Sequence, residues 1–479
     1  MTHASSPHDP EGIRRLSRRE MLARCGTGLG MVGLANLLGT QSAAASTGVA
    51  NGPRIAHFPA RAKRIIHLFM NGGPSHVDTF DSKPMLAKFA GQRPDATKDM
   101  KTERATAGLM PSPFAFERYG QSGIEISELF RNVGRCADDL CVIRSMHTNV
   151  PNHEPSLFMM NSGHVQPVRP SYGSWLLYGL GSENANLPGF VVLSPGRLPV
   201  NGATNWSSRF FPGIYQGTHL NAGDPESVLP NLRSTFLSQP SQREQLDLIQ
   251  NMNLAHGERF GADPVLEARV QSLEMAFRMQ TAAPEAFDLR KESPATLGMY
   301  GLKSEGIEGS DFARNCVLAR RLVERGVRVV QVYYGNFQPW DSHTDNSENQ
   351  GRLCREVDLP IAGLLTDLKQ RGLLEETLVL WGGEFGRTPV SEGAGSGRDH
   401  NHFGFTVWMA GGGVRGGMSY GATDEFGFKA VEKRVHPHDL HATMLYLMGL
   451  DHERLTYRYS GREFRLTDVH GRVLHDILA

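Results

Sequence analysis

The sequence predicts an α/β protein, a three-layer α/β/α sandwich with a mostly parallel central sheet. From residue 311 onwards, helical patterns alternate with short apolar strands, which is typical of parallel β-α-β units. The chain has 479 residues, 39% of them hydrophobic and 21% charged, so it can bury a large core and is not disordered. Its 53 glycines indicate many tight turns and close backbone contacts.

Residues 1–45 have the pattern of an export signal. Arginine pairs, the second of them Arg18-Arg19, precede an uncharged apolar run, and Ala43-Ala44-Ala45 supplies a small-residue cleavage site. The segment resembles a twin-arginine signal, which implies a periplasmic or secreted protein. We expect a mature chain from Ser46, a flexible segment over 46–60, and no transmembrane segment, because the apolar run falls short of the ~20 residues that span a bilayer. A buried N-terminal helix behind a basic arm is the alternative.

Short apolar runs that end at turn residues predict the strands of the sheet. The predicted strands are 65–70, 140–144, 188–194, 327–334, 377–381 and 405–409. Apolar residues at helical spacing predict helices over 240–280, 311–325, 356–371 and 438–448. Since no repeats or linkers separate these elements, we expect one domain over 61–479 with insertions near 90–130 and 195–300.

The charge balance excludes whole classes of partner. The chain has 50 basic and 50 acidic residues, so no net field attracts nucleic acid or an anionic membrane surface. We therefore expect no nucleic-acid partner.

Candidate metal ligands follow the later strands at their carboxyl ends, where open parallel sheets bind ligands. They are Asp341, His343, Glu384, Asp399, His400 and His402. Because alternate residues of an extended segment point the same way, Asp341 with His343 and His400 with His402 each offer two ligands to one cation. Mixed imidazole and carboxylate ligands favour zinc or manganese over calcium. Turn formation and ordinary surface or core histidines are the alternative at each position.

A second polar group spans residues 144–164 and leads into a helical pattern. Arg144 and Arg387 have the forked guanidinium that clamps an anion. His147 and His153 titrate near neutral pH, as a general acid or base requires. Surface ion pairs and structural histidines are the alternatives for these residues.

Four blocks of the sequence resemble the exported bacterial proteins called domain of unknown function 1501. The blocks are Asn71 to Pro84, Trp340 to His343, Gly383 to Pro389 and Asp399 to Gly404. That family is similar to the alkaline phosphatase and sulfatase superfamily, which implies an α/β/α sandwich with one or two metals that acts on phosphate or sulfate esters. By this resemblance, Asn71 stands where a ligand Asp is usual, with Asp78 the nearest carboxylate. His153 stands at about the place of the nucleophile.

We therefore predict an exported, metal-dependent hydrolase of a sulfate or phosphate ester, carried by a small molecule or a polysaccharide. The metal would polarise the ester and lower the pKa of a bound water. The predicted metal ligands are Asp341, His343, Glu384, His400, His402, Asn71 and Asp78, and the predicted catalytic residues are His153, Arg387, Arg144 and His147. The alternative is a catalytically inactive relative that binds an envelope or extracellular ligand, because Asn71, Phe385 and His153 replace groups that the superfamily uses. The oligomeric state stays open.

Overall fold

The computed structural model describes residues 54–479 apart from positions 197, 222–233, 235, 262, 304–308 and 394. The export signal predicted for residues 1–45 and the first part of the 46–60 segment lie outside the described residues. Within the described part, no helix has the length and apolar character needed to cross a membrane.

The elements are numbered in chain order. The strands are β1 (Arg64–Phe69), β2 (Thr106–Leu109), β3 (Phe116–Tyr119), β4 (Ile124–Ser127), β5 (Leu140–Met146), β6 (Phe190–Ser194), β7 (Thr218–Asn221), β8 (Val329–Tyr333), β9 (Thr377–Gly382), β10 (Gly386–Glu392), β11 (Arg398–Asn401), β12 (Phe405–Ala410), β13 (Met418–Tyr420), β14 (Ala422–Thr423), β15 (Ala430–Glu432), β16 (Tyr457–Tyr459) and β17 (Arg462–Phe464). The α-helices are α1 (His76–Thr79), α2 (Pro84–Lys88), α3 (Arg131–Gly134), α4 (His153–Ser162), α5 (Tyr172–Leu180), α6 (Gln239–Phe260), α7 (Pro264–Phe287), α8 (Pro294–Met299), α9 (Asp311–Glu324), α10 (Asn346–Gln370) and α11 (Pro437–Leu447).

The central sheet has eight strands in the order β13-β5-β12-β9-β1-β8-β6-β7. Strand β1 lies inside the sheet and pairs in parallel with β8 and β9, with Ile65 opposite both Val329 and Leu378. Strand β12 runs antiparallel to its neighbours β5 and β9. The sheet is therefore mostly parallel, as the sequence predicts.

Helices cover both faces of the sheet. Ile66 and Leu68 of β1 join an apolar cluster with residues of α9 and α10, whereas Ile65 and Phe69 join a second cluster with residues of α5 and α11. Successive residues of a strand point to opposite faces, so a strand buried on both sides is apolar throughout. The predicted α/β/α sandwich is confirmed.

Two predicted helices differ from the observed ones. The helical pattern over 240–280 forms two helices, α6 and α7, because the chain turns at Gly261, whose φ is 88°. The helix predicted from 356 begins at Asn346 as α10. Its first turns are mainly polar, so apolar periodicity does not reveal them.

Buried histidines join α11 to the carboxyl end of α4. The Nε2 atoms of His438 and His441 donate to the carbonyls of Gly163 and Met160, both at 2.8 Å. Burial lowers the pKa of His441 to about 4. Burial also lowers the pKa of His67, on β1, to about 3. These imidazoles are therefore neutral in the folded protein at neutral pH.

We expect the protein to lose stability as the pH falls from about 6.5 to about 4. An unfolded histidine takes up its proton near pH 6.5, whereas folded His67 and His441 stay neutral until about 3 and about 4. The unfolded state then binds more protons, so at about pH 5 each of the two histidines lowers the free energy of unfolding by about 2 kcal/mol. Urea unfolding followed by circular dichroism at pH 7 and pH 5 measures this loss.

His441→Gln is the matched control, because glutamine keeps a donor toward the carbonyl of Met160 but does not titrate. Its stability should fall less between the two pH values than that of the parent protein. Equal losses in the two proteins would show that His441 does not contribute.

Candidate metal centre

Four side chains from three separate segments meet beyond the carboxyl ends of the central strands. Asp341 and His343 follow β8, His400 lies on β11, and His153 begins α4. We call these four residues the His₃Asp cluster. Because neighbouring parallel strands end at the same edge of the sheet, residues far apart in sequence come together there.

Asp341 is the centre of the His₃Asp cluster. Its Oδ1 atom lies 3.0 Å from His343 Nε2 and 3.4 Å from the Nε2 atoms of His153 and His400. The fully buried Arg387 donates to the same oxygen at 2.7 Å. Burial alone would raise the pKa of Asp341, but hydrogen bonds from the three histidines and the charge of Arg387 hold it far below its ordinary value. One carboxylate thus faces three imidazoles and a guanidinium.

A glutamate holds the other ring nitrogen of each imidazole. The Nδ1 atom of His153 donates to Glu384 Oε1 at 2.6 Å, that of His400 to Glu103 Oε2 at 2.9 Å, and that of His343 to Glu392. Each of these contacts pairs an Nδ1–H donor with a carboxylate oxygen as acceptor. Nε2 is therefore the ring nitrogen of each histidine that faces Asp341.

The surroundings shift the pKa of each imidazole differently. Burial opposes protonation of His153, but its hydrogen bonds to Asp341 and Glu384 raise its pKa overall. The hydrogen bond to Asp341 raises the pKa of His343. Burial lowers the pKa of His400. The pKa of His153 and His343 is therefore shifted upwards and that of His400 downwards, although all three imidazoles face the same carboxylate.

The His₃Asp cluster fits a divalent transition metal. One ligand atom each of His153, Asp341 and His400 lies within 4.8 Å of the others, and His343 Nε2 lies 3.1 Å from His400 Nε2. The buried Nε2 atom of His153 lies 3.4 Å from Asp341 Oδ1. Imidazole and carboxylate are the ligands of catalytic zinc sites, and a carboxylate on the far ring nitrogen is the usual support of a ligating histidine.

Gly72 positions two residues of this site, Asp341 and Glu384. Its φ is 113°, and a Cβ atom there would lie 2.6 Å from the backbone nitrogen of Asp341 and 2.8 Å from that of Trp340. The Gly72 amide also donates to both carboxylate oxygens of Glu384, at 3.0 and 3.2 Å. A side chain at this position has no room, so glycine lets the end of β1 touch the turn that carries Asp341.

Asn71 and Asp78 have partners outside the His₃Asp cluster. Asn71 Nδ2 donates to the carbonyl of Gly335 at 3.2 Å and to that of Phe337. Asp78 pairs with Arg398 at 2.9 Å, and both side chains are fully buried. Burial raises the pKa of Asp78, but the charge of Arg398 and further hydrogen bonds lower it overall. Asn71 thus holds the turn after β8, and Asp78 joins α1 to β11.

Replacing Asp78 by Asn is expected to destabilise the protein by about 3–5 kcal/mol without loss of metal, because the charge of Arg398 is left buried and unpaired. Urea unfolding and the metal content of the purified protein measure the two effects. Glu376→Gln is the control, since it breaks an ion pair with Lys63 whose side chains are 42% and 50% exposed, and it should cost less than about 1 kcal/mol. Loss of metal from folded Asp78→Asn protein would contradict this expectation.

His402 lies near the His₃Asp cluster in sequence but has different contacts. Strand β11 ends at Asn401, so His402 does not continue the strand alternation from His400. Its ring packs on Phe403, with 3.9 Å between ring centroids. Burial lowers the pKa of His402. Within the described part of the chain, no hydrogen bond or ion pair joins His402 to Asp341.

Arg144 and His147 also lie outside the cluster. Arg144 donates to the carbonyls of Phe80 and Glu125, at 2.8 and 3.1 Å, and so joins the end of α1 to β4. His147 accepts from Arg434 at 3.3 Å, and burial lowers its pKa to about 4.

The sequence did not predict two of the supporting glutamates, Glu392 and Glu103. Glu392 ends β10, and Glu103 lies in irregular chain before β2. Neither belongs to a recognisable motif, and Glu103 is about 300 residues from His400, its partner. The one available signal is that Glu392 ends β10, the strand that begins two residues after Glu384.

Comparisons with known proteins complete this description. A family described as "Protein of unknown function (DUF1501)" matches residues 62–478. No curated relative matches the sequence.

Similar solved structures include the lipoteichoic acid synthase LtaP from Listeria monocytogenes, at 8% identity and a TM-score of 0.36, over 87% of this chain and 78% of that chain. The PsFucS1 sulfatase from Pseudoalteromonas sp. has 13% identity and a TM-score of 0.33 over 81% and 68% of the two chains. The phosphonate monoester hydrolase SpPMH from Silicibacter pomeroyi has 10% identity and a TM-score of 0.36 over 88% and 76%.

Proposed function

We propose that this chain, which belongs to the DUF1501 family, is a metal-dependent hydrolase of sulfate or phosphate esters. The metal is a divalent transition ion, zinc or manganese rather than calcium, because the His₃Asp cluster offers three nitrogen ligands. Its ligands are His153, His343, His400 and Asp341. The substrate is the anionic ester of a small molecule or a polysaccharide.

The observation that carries the proposal is the set of three imidazoles that face one carboxylate, each supported from behind by a glutamate. A histidine with a structural role needs one good hydrogen bond and no particular direction for its second nitrogen. Here all three second nitrogens lie 3.0 to 3.4 Å from the same oxygen, Asp341 Oδ1. Such convergence of supported imidazoles is the arrangement of metal ligands in proteins.

The residues around the cluster have distinct roles in this proposal. A bound metal would supply Lewis acidity toward the ester and a nucleophilic water. Arg387 is fully buried and bonds to Asp341, so it orients a ligand and does not clamp the substrate. Glu384 fixes the ring of His153. Arg104, whose side chain is 55% exposed and bonds to Glu392 at 2.8 Å, is the cation placed to meet an anionic group from solvent.

Metal analysis of three proteins tests the proposal. The parent chain should hold near-stoichiometric zinc or manganese by mass spectrometry and should hydrolyse a phosphate or sulfate monoester. His400→Ala should lose both properties. His402→Ala is the matched control, two residues away and outside the cluster, and should keep both.

Other outcomes separate the alternatives. Metal in the parent and in His400→Ala alike would reject the His₃Asp cluster as the site. Metal bound by the parent without turnover of any ester would favour the catalytically inactive relative that binds an envelope or extracellular ligand.

We also propose export by the twin-arginine route to the periplasm or beyond. The support is the sequence pattern of residues 1–45, with its arginine pairs, apolar run and small-residue cleavage site. Replacing Arg18-Arg19 by a lysine pair should retain the protein in the cytoplasm. Export of that variant at the parent level would reject this route.

A further inference from the structure

Helix α6 spans 22 residues but buries very few of them. Gln242 and Leu246 are its buried residues, and both lie in its first half. Residues 250–260, which the structure describes in full, include no buried side chain. A helix of a globular protein is usually held by an apolar face that packs on other elements. The second half of α6 therefore lacks the support that a helix of this length needs.

The side of α6 that faces α7 is polar. Gln250 donates to Glu274 at 2.7 Å, and Asn253 donates to Glu267 at 2.9 Å. Arg243 also donates to Glu274, at 2.8 Å. Residues 243, 250 and 253 have the spacing of one helix face. Hydrogen bonds and an ion pair thus join this side of α6 to α7, and the apolar residues between them point elsewhere.

An apolar stripe lies on the opposite side of α6. Leu248 is 48% exposed, Met252 is 65% exposed, and Ala255 is exposed one turn further on. At about 100° per residue, Leu248 and Met252 both point about 160° away from Gln250. The steps of four and three residues along the stripe are those of the seam between two packed helices. Contiguous apolar side chains on a surface mark a site of association.

The stripe is complementary to itself when a second copy lies antiparallel to it. About a two-fold axis at the middle of the stripe, residues equally distant from the axis face each other. Leu248 then faces the partner's Ala255, which sets a large side chain against a small one. One turn further out, Glu244 faces the partner's Arg259, and both residues are exposed. The symmetry repeats this pairing, so two ion pairs flank the apolar seam.

The size of the seam sets the strength of the contact. A helix of 22 residues is about 33 Å long and about 10 Å wide. The seam therefore offers about 300 Å² of each copy, against about 800 Å² per partner in a standard stable interface. An association through α6 alone is weak and depends on protein concentration.

We propose that the outer face of α6 is the contact surface of a weak, two-fold symmetric dimer of this chain. Leu248, Met252 and Ala255 form its apolar seam, and Glu244 with the partner's Arg259 sets the antiparallel direction. The proposal does not depend on the hydrolase function. The partner is a second copy because the pattern of size and charge along the stripe matches its own reverse.

Sedimentation velocity of the full chain from about 1 to about 200 μM tests the dimer. The parent should be half dimeric at about 10–100 μM. Met252→Glu should stay monomeric, because each copy would bring a charge to the centre of the seam. Glutamate and methionine favour a helix equally, so this variant should unfold at the same urea concentration as the parent in dilute solution. Val469→Glu is the matched control, since Val469 is 73% exposed and lies outside α6, and it should dimerise as the parent does.

Charge reversal tests the antiparallel direction. Glu244→Arg should weaken the dimer about fivefold, because two like-charged contacts replace two ion pairs. Combining Glu244→Arg with Arg259→Glu should restore the affinity of the parent, since each pair then forms again with its signs exchanged.

Four results would overturn the inference. They are a parent that stays monomeric up to about 200 μM, a dimer that Met252→Glu leaves intact, and a double charge variant that dimerises no better than Glu244→Arg. The fourth is binding of the monomeric parent to vesicles of phosphatidylglycerol and phosphatidylethanolamine that Met252→Glu abolishes, which would assign the stripe to a lipid surface.

Discussion

Asp341→Asn is expected to lose its bound metal and to hydrolyse esters at least about a hundredfold more slowly, the scale for one electrostatic group in an active site. The change keeps the size of the side chain but removes the charge that faces three imidazoles and Arg387. Arg387 is fully buried, so the loss of its carboxylate partner should also destabilise the protein by about 3 kcal/mol. Metal content, turnover and urea unfolding measure the three effects.

Asp345→Asn is the control for this experiment. Asp345 is exposed, has a left-handed backbone with a φ of 48° that asparagine tolerates, and accepts a hydrogen bond from Ser396. It should keep its metal and its activity. Stoichiometric metal in Asp341→Asn would show that the ion binds elsewhere.

Gly72→Ala is expected to have the second large effect. The new Cβ atom would lie 2.6 Å from the backbone nitrogen of Asp341, and backbone cannot rotate away as a flexible side chain does. Overpacking costs about 1–3 kcal/mol, and a left-handed alanine adds about 1–2 kcal/mol. We expect a total of about 2–5 kcal/mol together with loss of metal, since Asp341 and Glu384 both depend on this contact.

Gly372→Ala separates the cost of steric overlap from the cost of a left-handed alanine. Gly372 has a φ of 67°, and a Cβ atom there would meet nothing within 4 Å. Gly372→Ala should therefore lower the free energy of unfolding only by the cost of a left-handed alanine, about 1–2 kcal/mol, and should retain the metal. If Gly72→Ala cost no more than Gly372→Ala, the close approach at Gly72 would not hold the site together.

The sequence predicts the fold well where one physical rule dominates. Buried parallel strands are apolar throughout, so runs such as Thr377–Gly382 stand out without any structure. The antiparallel direction of β12 is different, because an apolar strand gives no indication of which way it runs. The polar first turns of α10 are hidden for a similar reason, since apolar periodicity begins only later in that helix.

For the candidate site, the sequence indicates where in the fold the site lies better than it indicates which residues contact the proposed ligands. Asp341 and His343 follow β8, where the rule for open parallel sheets predicts ligands, whereas His400 lies on β11 of a separate sheet. His153 comes from the start of a helix after β5, and no local pattern distinguishes it from the buried histidines near α11. The supporting glutamates are set by contacts between distant segments, as in the hydrogen bond from His400 to Glu103. Such contacts follow from packing, which no local pattern contains.

Folding of this chain is expected to be slow and indifferent to metal, whereas unfolding is expected to slow when metal is bound. Strand β1 pairs with β8 through Ile65 and Val329, about 260 residues apart, and contacts across such distances form slowly. The proposed metal ligands come from the start of α4, the loop after β8 and strand β11, which are far apart in sequence, so an ion that needs all of them is not expected to template the early steps. A metal that binds only the finished sheet stabilises the native state and leaves the transition state unchanged, and its effect then falls on the unfolding rate.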